Sequence, residues 1–404
     1  MSFSPSDVTP AARWFTCTPV DFSGGKDFFA RDSGLLCRGF QALGIDSRAV
    51  MPGTSRADDE PDLIRTAYAD LEDPAWWRSQ RLDGVVLYAW GRAKYRRVAE
   101  AIREAGVFLV LNQDSGGLVS PRLDLAAWWR EQLVLSGAGR TAGGWWRFSK
   151  LALRGLTVGL TVSDLLRAEH LRAGNVIACV TPVAADHYRE FCRIYGGADF
   201  ASRVHVVPHP VNPLFRFDGR PKTRTVTAIG RWDDVTQKRP ELLMAAAANL
   251  LDADPHVTVE IVGQATAELQ KWAEKRERVC LHGRILPEAI AEILSHTQIL
   301  WCPSAFESFH IASGEALCCG CSVVAAVSPS LAAFPWFVSE ASGSLAATDD
   351  VAGHVAALRS ELHAWDEGTR NAASIAATWQ SRLHAPEVAR LVLSIAAGEM
   401  NHKT

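Results

Sequence analysis

The stretch Pro303-Ser-Ala-Phe-Glu307-Ser308-Phe309-His310-Ile311-Ala-Ser-Gly-Glu315-Ala-Leu-Cys-Cys-Gly320 decides the reading of this chain. It follows an apolar run ending near Trp301 and passes into helical spacing. Gly320 suits the end of that helix, and Cys321 to Ala325 the start of another strand. Strand, loop, helix and strand in succession are the unit of a parallel sheet. Glu307 precedes the helix, and Glu315 lies roughly two turns inside it. The backbone N–H groups of Ser308, Phe309, His310 and Ile311 then lack intrahelical acceptors and sit at the positive end of the helix dipole. A pyrophosphate suits that position. The two carboxylates can accept hydrogen bonds from sugar hydroxyls. Blander readings stand beside these: a solvated helix carboxylate for Glu315, a cap for Glu307 and a packed histidine for His310.

Upstream, Gly230-Arg231-Trp-Asp-Asp-Val-Thr-Gln-Lys238-Arg-Pro240 also lies after a strand-like run. Arg231 offers a planar fork for phosphate oxygens and Lys238 a compact charge. Pro240 suits the first turn of a helix. Asp233 and Asp234 are adjacent acids in a polar loop and read as solvent-facing. Near the N-terminus, Phe22-Ser-Gly24-Gly25-Lys26 follows the first strand, where glycines allow close backbone approach to a ligand. Neither GxGxxG nor GxxxxGK[ST] occurs, so dinucleotide and P-loop readings lose support.

These segments sit in two series of alternating strands and helices. The first runs from a strand at 11–18, through a helix over 28–43, to strands at 44–51, 84–89, 107–111, 176–180 and 204–207. Pro208-His-Pro-Val-Asn-Pro213 interrupts it with three prolines. The second begins at Thr225-Val-Thr-Ala-Ile229 and continues through strands at 257–262, 279–281, 298–301 and 322–325. The expected organisation is an N-terminal domain over 1–212, a C-terminal domain over 213–375, and a helix over 376–404 packing back on the first. Both domains read as Rossmann-like and doubly wound, facing each other across a cleft, with ligands beyond the carboxyl ends of the strands.

The chain has 404 residues, 48% hydrophobic and 22% charged, enough for full-sized cores. A net charge of −3 offers no broad basic field for nucleic acid. No apolar run reaches the roughly 18–20 residues that span a bilayer, and Met1-Ser-Phe-Ser-Pro-Ser does not open a signal peptide. The nine cysteines lack framework or zinc spacing and read as reduced thiols. Of the fourteen tryptophans, the pairs Trp128-Trp129 and Trp145-Trp146 are interleaved with Arg130, Arg140, Arg147, Lys150 and Arg154. That mixture suits packing, an acceptor cleft or a membrane-surface contact.

Taken in this order, the segments resemble family 4 of the glycosyltransferases, which have the GT-B fold. The resemblance covers nearly the whole chain, strongest over about 204–346. Glu307 and Glu315 match the Glu-x7-Glu signature, and Gly230-Arg231 with Lys238 the GR…K element. Val206-Val-Pro-His-Pro-Val-Asn-Pro-Leu-Phe215 is similar to the interdomain link, Ser342-Gly-Ser-Leu345 to a short Gly turn, and Gly24-Gly25 to the N-terminal glycine loop. The resemblance implies retaining transfer of a sugar from a nucleoside-diphosphate donor, with no metal and no cofactor. It implies that Glu315 holds the ribose, that Glu307 touches the donor sugar, and that Arg231 and Lys238 bind the diphosphate. Gly24 and Gly25 approach it from the other domain, and the amides of Phe309, His310 and Ile311 complete the cradle.

Three departures stand out. His310 occupies a position where the family has Gly. The N-terminal-domain histidine of the family is absent from Leu111-Asn112-Gln-Asp114-Ser-Gly-Gly117, leaving Asn112 or Asp114 to contact sugar or acceptor. The link has His209-Pro210 in place of Asn-Gly. The expected partners are a UDP-, GDP- or ADP-linked sugar and an unidentified acceptor. The expected location is cytoplasmic, with peripheral membrane contact as an option. A nucleotide-sugar epimerase and a non-catalytic binding protein of the same fold are the alternatives.

Overall fold

Runs such as Val85-Val-Leu and Val323-Val-Ala are apolar on both sides of the pleat, which suits strands covered by helices on both faces. In the computed structural model, which describes residues 12–114, 118–138, 142–328 and 330–401, both runs are buried in interior strands of parallel sheets. The N-terminal sheet contains β1 (Trp14–Cys17), β2 (Ala49–Pro52), β3 (Leu63–Thr66), β4 (Gly84–Tyr88), β5 (Phe108–Gln113), β6 (Val176–Cys179) and β7 (Val204–Val206). Its order is β3-β2-β1-β4-β5-β6-β7. The C-terminal sheet contains β8 (Thr223–Ile229), β9 (Thr258–Val262), β10 (Val279–Gly283), β11 (Thr297–Cys302), β12 (Ser322–Ala326) and β13 (Gly343–Ala346), in the order β10-β9-β8-β11-β12-β13. Every strand pair is parallel, with Val226 of β8 opposite both Val259 of β9 and Ile299 of β11.

Strand order reverses between β1 and β4 and again between β8 and β11. Such a reversal opens a crevice at the carboxyl ends of the two central strands. The loops at 230–238 and 303–310 leave β8 and β11 at that crevice, so topology brings the two basic-and-acidic segments together.

Three local expectations change. The helix expected over 28–43 is two helices, Lys26–Phe29 and Asp32–Ala42, with Asp32 in the left-handed region at φ 49°. A Cβ on Gly34 would lie 2.4 Å from the Phe28 carbonyl oxygen, so the break and the glycine belong together. Strand β3 escapes the sequence pattern because Leu63-Ile-Arg-Thr66 is a half-buried edge strand. Ser342-Gly-Ser-Leu345, expected as a turn, lies mostly in β13, an edge strand of the C-terminal sheet.

The chain crosses between domains twice, side by side. Val211 N–H donates to the Leu383 carbonyl at 2.6 Å, and Ala385 N–H to the Val211 carbonyl at 3.0 Å. Helix Ala372–Leu383 buries Ile375, Trp379 and Leu383 in the C-terminal core. Helix Ala385–Asn401 buries Val388, Ala389 and Val392 against Phe40, Tyr88 and Val110 of the N-terminal domain. The return crossing therefore falls at His384, later than the residue 376 expected from sequence. Between β5 and β6 the N-terminal domain carries a helical insertion: Leu125–Ser136, Ala142–Arg154, a π-helix Gly155–Ser163, and Asp164–Ala173.

Candidate functional site

The loops after β8 and β11 are tied into one assembly. Ala305 N–H donates to the Gln237 carbonyl at 2.8 Å, and Gln237 Nε2 returns a bond to the Phe306 carbonyl at 3.1 Å. Arg239 Nε donates to the Pro303 carbonyl at 2.6 Å. Between them Lys238 Nζ and the Glu307 carboxylate form a short ion pair. Burial alone would raise the Glu307 pKa, but electrostatic interaction with His310 and with the Lys238 ammonium, and the bonds from Lys238 and Ser304, hold it below the usual carboxylate range. Glu307 is ionised and Lys238 is aimed at it.

A second tier that sequence reading missed supports these loops. The buried Arg239 guanidinium pairs with Asp349 at 2.5 and 2.9 Å. Asp349 also lies 3.1 Å from His354 Nε2, and Trp301 Nε1 donates to His354 Nδ1 at 3.0 Å. Burial opposes ionisation of Asp349, yet His354 and Arg239 lower its pKa. The Lys-Arg-Pro sequence at 238–240 was a signal for two cations, of which one faces the loops and one locks them.

The helix of the quoted stretch is Ile311–Cys318, so Glu315 lies little more than one turn inside it, closer to the N-terminus than the sequence spacing suggested. The N–H groups of Phe309, His310 and Ile311 have no acceptor among the described residues. His310 caps this helix with a left-handed backbone at φ 60°, a conformation that glycine takes without strain. That accounts physically for the glycine usual here. The His310 ring turns inward: it is buried, its Nδ1 is 2.7 Å from Ser313 Oγ, and it packs against Phe334. Burial lowers its pKa to about 4 against the pull of Glu307, so it is neutral near pH 7.

Cys302, Glu307 and His310 bring one ligand-type atom each within 4.8 Å of one another. They have the chemistry to meet a cation, but Glu307 is already paired with the Lys238 ammonium, whose charge would oppose one. The donor set fits an ion pair better than a metal.

Glu315 is half-buried, and burial raises its pKa to about 7 against the charge of Arg31. Arg31 belongs to the N-terminal domain, so the two domains face each other here. Asp114, at the end of β5, lies 3.3 Å from His209 Nε2 and also hydrogen-bonds the Ser308 side chain. Burial opposes both charges, yet each partner favours the other: the Asp114 pKa is lowered and that of His209 raised. His209 stacks on Tyr88 and meets Phe309 edge-on at 5.3 Å. The link thus places a histidine beside the end of β5. Asn112 Oδ1, Asp114 Oδ1 and both polar atoms of Gln113 are buried without a partner among the described residues. Residues 115–117 of that segment lie outside the described residues.

Three expected contributors, Arg231, Gly24 and Gly25, are not in this cluster. Arg231 is three-quarters exposed, 3.9 Å from Asp234, and makes no contact with Lys238 or Glu307. Asp234 caps the short helix Val235–Lys238 through Gln237 N–H. A Cβ on Gly24 would meet Asp59 Oδ1 at 2.3 Å and Leu63 at 2.1 Å; one on Gly25 would meet the Asp58 carbonyl at 3.1 Å. These glycines make room for their own domain, where Asp21 and Asp59 bind Arg65. The nearby residue that acts across the cleft is Arg31, whose charge bears on Glu315, while its neighbour Asp32 lies 3.8 Å from His209 of the link.

Residues 223–363 match the family model described as glycosyl transferases group 1. No curated protein matches the chain. Among solved structures it is similar to HepE of Anabaena in complex with UDP and glucose, at 14% identity over 96% of this chain and 100% of that one, with TM-score 0.62. It is also similar to the lipopolysaccharide outer core galactosyltransferase WaaB, at 12% identity, 97% and 100% coverage and TM-score 0.61. Sucrose-phosphate synthase from Thermosynechococcus elongatus aligns at 15% identity, 96% and 100% coverage and TM-score 0.61.

Proposed function

We propose that this chain, whose residues 223–363 match the group 1 glycosyl transferase model and whose fold is that of GT-B enzymes, is a nucleotide-sugar-dependent glycosyltransferase that transfers a hexose with retention and without a metal ion. The observation that carries this reading is the Lys238–Glu307 pair beside the unpaired N–H groups of Phe309, His310 and Ile311. In the reaction the anomeric C–O bond to the diphosphate breaks and a bond to the acceptor oxygen forms. The acceptor's proton leaves on a phosphate oxygen. Negative charge grows on the departing diphosphate, and fixed cations and dipoles there are usually the largest catalytic contribution.

Lys238 supplies a compact charge, the amides supply oriented dipoles, and exposed Arg231 is free to fold its fork onto the phosphates. Gly230 lets the backbone approach. Glu307 holds Lys238 in place before the donor arrives and turns to the donor sugar when phosphate takes the ammonium. Glu315 accepts hydrogen bonds from the ribose hydroxyls. Asp114 and Asn112 are assigned to the sugar or acceptor, with unpaired buried oxygens in support. Gly24 and Gly25 keep a role only as the packed base of the opposing loop.

UDP-glucose is the first donor to try, because HepE was solved with UDP and glucose. GDP- and ADP-linked sugars follow. Incubation in a chelator and analysis of released nucleoside diphosphate tests the assignment. Release that is lost in folded Lys238→Ala supports it, and undiminished release in both Lys238→Ala and Glu315→Ala overturns it. Interconversion of the sugar without an acceptor would mark an epimerase instead.

A further inference from the structure

The insertion between β5 and β6 carries an apolar surface that the described residues leave uncovered. Twelve of the nineteen exposed large apolar side chains among them fall between Leu125 and Leu166. Single exposed apolar residues need no explanation, but a contiguous concentration marks an interaction surface. From Ala142 to Ala173 the chain is one helical run, with the π-helix Gly155–Ser163 in its middle. That π segment buries none of its residues, although Leu156, Val158 and Val162 are apolar. Trp146, Lys150 and Leu153 are spaced four and three apart on one outward face, turned away from buried Phe148 and Ala152.

Charge on this surface has one sign. No Asp or Glu occurs from Gln132 to Ser163, whereas Arg147, Lys150 and Arg154 do. Glu131, at the border, is buried and accepts from Leu118 N–H at 3.1 Å. Two copies pairing through this face would bring like charges together, since a two-fold contact repeats the same patch. An anionic partner is complementary. Tryptophan and leucine between cations are the composition of helices lying in a lipid headgroup layer. No helix among the described residues is long and apolar enough to cross a membrane.

We propose that this insertion docks the protein onto an anionic bilayer surface, with Trp146, Leu153 and Leu156 entering the headgroup boundary and Lys150 and Arg154 meeting lipid phosphates. A Cβ on Gly137, at the end of the first insertion helix, would lie 3.8 Å from Thr236 of the loop after β8. Docking therefore holds the cleft beside the membrane, facing an acceptor carried by lipid. That last consequence rests on the donor-site reading; docking itself does not.

The test is flotation of the full chain with vesicles of phosphatidylcholine alone and with one-third phosphatidylglycerol. The wild type is expected to float with anionic vesicles and to be released by high salt. Trp146→Ser/Leu153→Ser/Leu156→Ser and, separately, Lys150→Glu/Arg154→Glu should each cut binding at least tenfold. Both variants alter exposed positions and should keep the wild-type melting temperature and nucleotide-induced shift. Retained nucleotide binding with lost flotation separates this surface from the donor site. No flotation by wild type, or a wild-type dimer that the serine variant makes monomeric, overturns the proposal.

Discussion

Lys238 and Glu307 form an ion pair whose side chains are only about one-tenth exposed, each supplied by the loop after a different central strand of the C-terminal sheet. Because β8 and β11 flank the point where strand order reverses, their loops are held together by the sheet itself. A buried pair of this kind is costly unless a further ligand or hydrogen bonds complete it. We assign that completing ligand as a diphosphate.

Removing one partner leaves a buried, unpaired charge, which typically costs about 3–5 kcal/mol. Lys238→Ala is therefore expected to lower stability by an amount near that range and transfer by roughly 10²–10³-fold. Lys238→Met/Glu307→Leu should recover much of the stability and none of the transfer. Denaturant titration beside donor-turnover assays checks both halves.

Nucleotide affinity should depend on pH through Glu315. Its pKa is raised to about 7 by burial, and in the proposed role ribose hydroxyls would donate to the ionised form. Affinity should then rise from pH 6 to pH 8, by up to about tenfold, as the carboxylate is freed of its proton. Glu315→Gln should flatten the profile. Calorimetric titration at each pH reads it directly.

Acid should destabilise the fold through His310. Its folded pKa of about 4 lies below the usual value of 6.5, so the unfolded chain binds more protons between them. The stabilisation is present above pH 6.5 and lost as pH falls toward 4, with a size on the order of 1–3 kcal/mol. His310→Gly removes this titration and suits the left-handed backbone. Its melting temperature should fall less than that of wild type between pH 7 and pH 5.

The His209–Asp114 pair should behave as a unit. Asp114→Ala strips the buried imidazole of its counter-charge, so the His209 pKa should drop below its ordinary value, as nuclear magnetic resonance titration can show. Transfer is expected to fall about 10–100-fold, in the range of a lost positioning contact.

Much of this was legible in the sequence, for identifiable reasons. Interior strands such as β4 and β12 are continuous apolar runs, and the Glu307 to Glu315 stretch sits between β11 and β12, so its placement after a strand and at a helix start followed from the strand–helix pattern. Edge strands β3 and β13 are short and half-buried, and left no such run. The candidate site was legible where neighbours in sequence are neighbours in space, as with Phe309, His310 and Ile311. It was not legible where the link folds His209 onto Asp114, or where Asp349 locks Arg239, since those pairs depend on long-range packing. Gly24 and Gly25 show the limit in the other direction: a glycine pair after a strand signals close approach, but not of what, and here the neighbours are Asp58, Asp59 and Leu63.

The most direct measurement is calorimetric titration of UDP, GDP and ADP into the wild type and Lys238→Ala, in excess chelator. One nucleotide should bind the wild type with no divalent ion present, and Lys238→Ala should bind it at least about tenfold more weakly, the equivalent of one lost charge-assisted contact. Binding that appears only when a divalent cation is restored, or that is the same in both proteins, would contradict a metal-free diphosphate site built on Lys238.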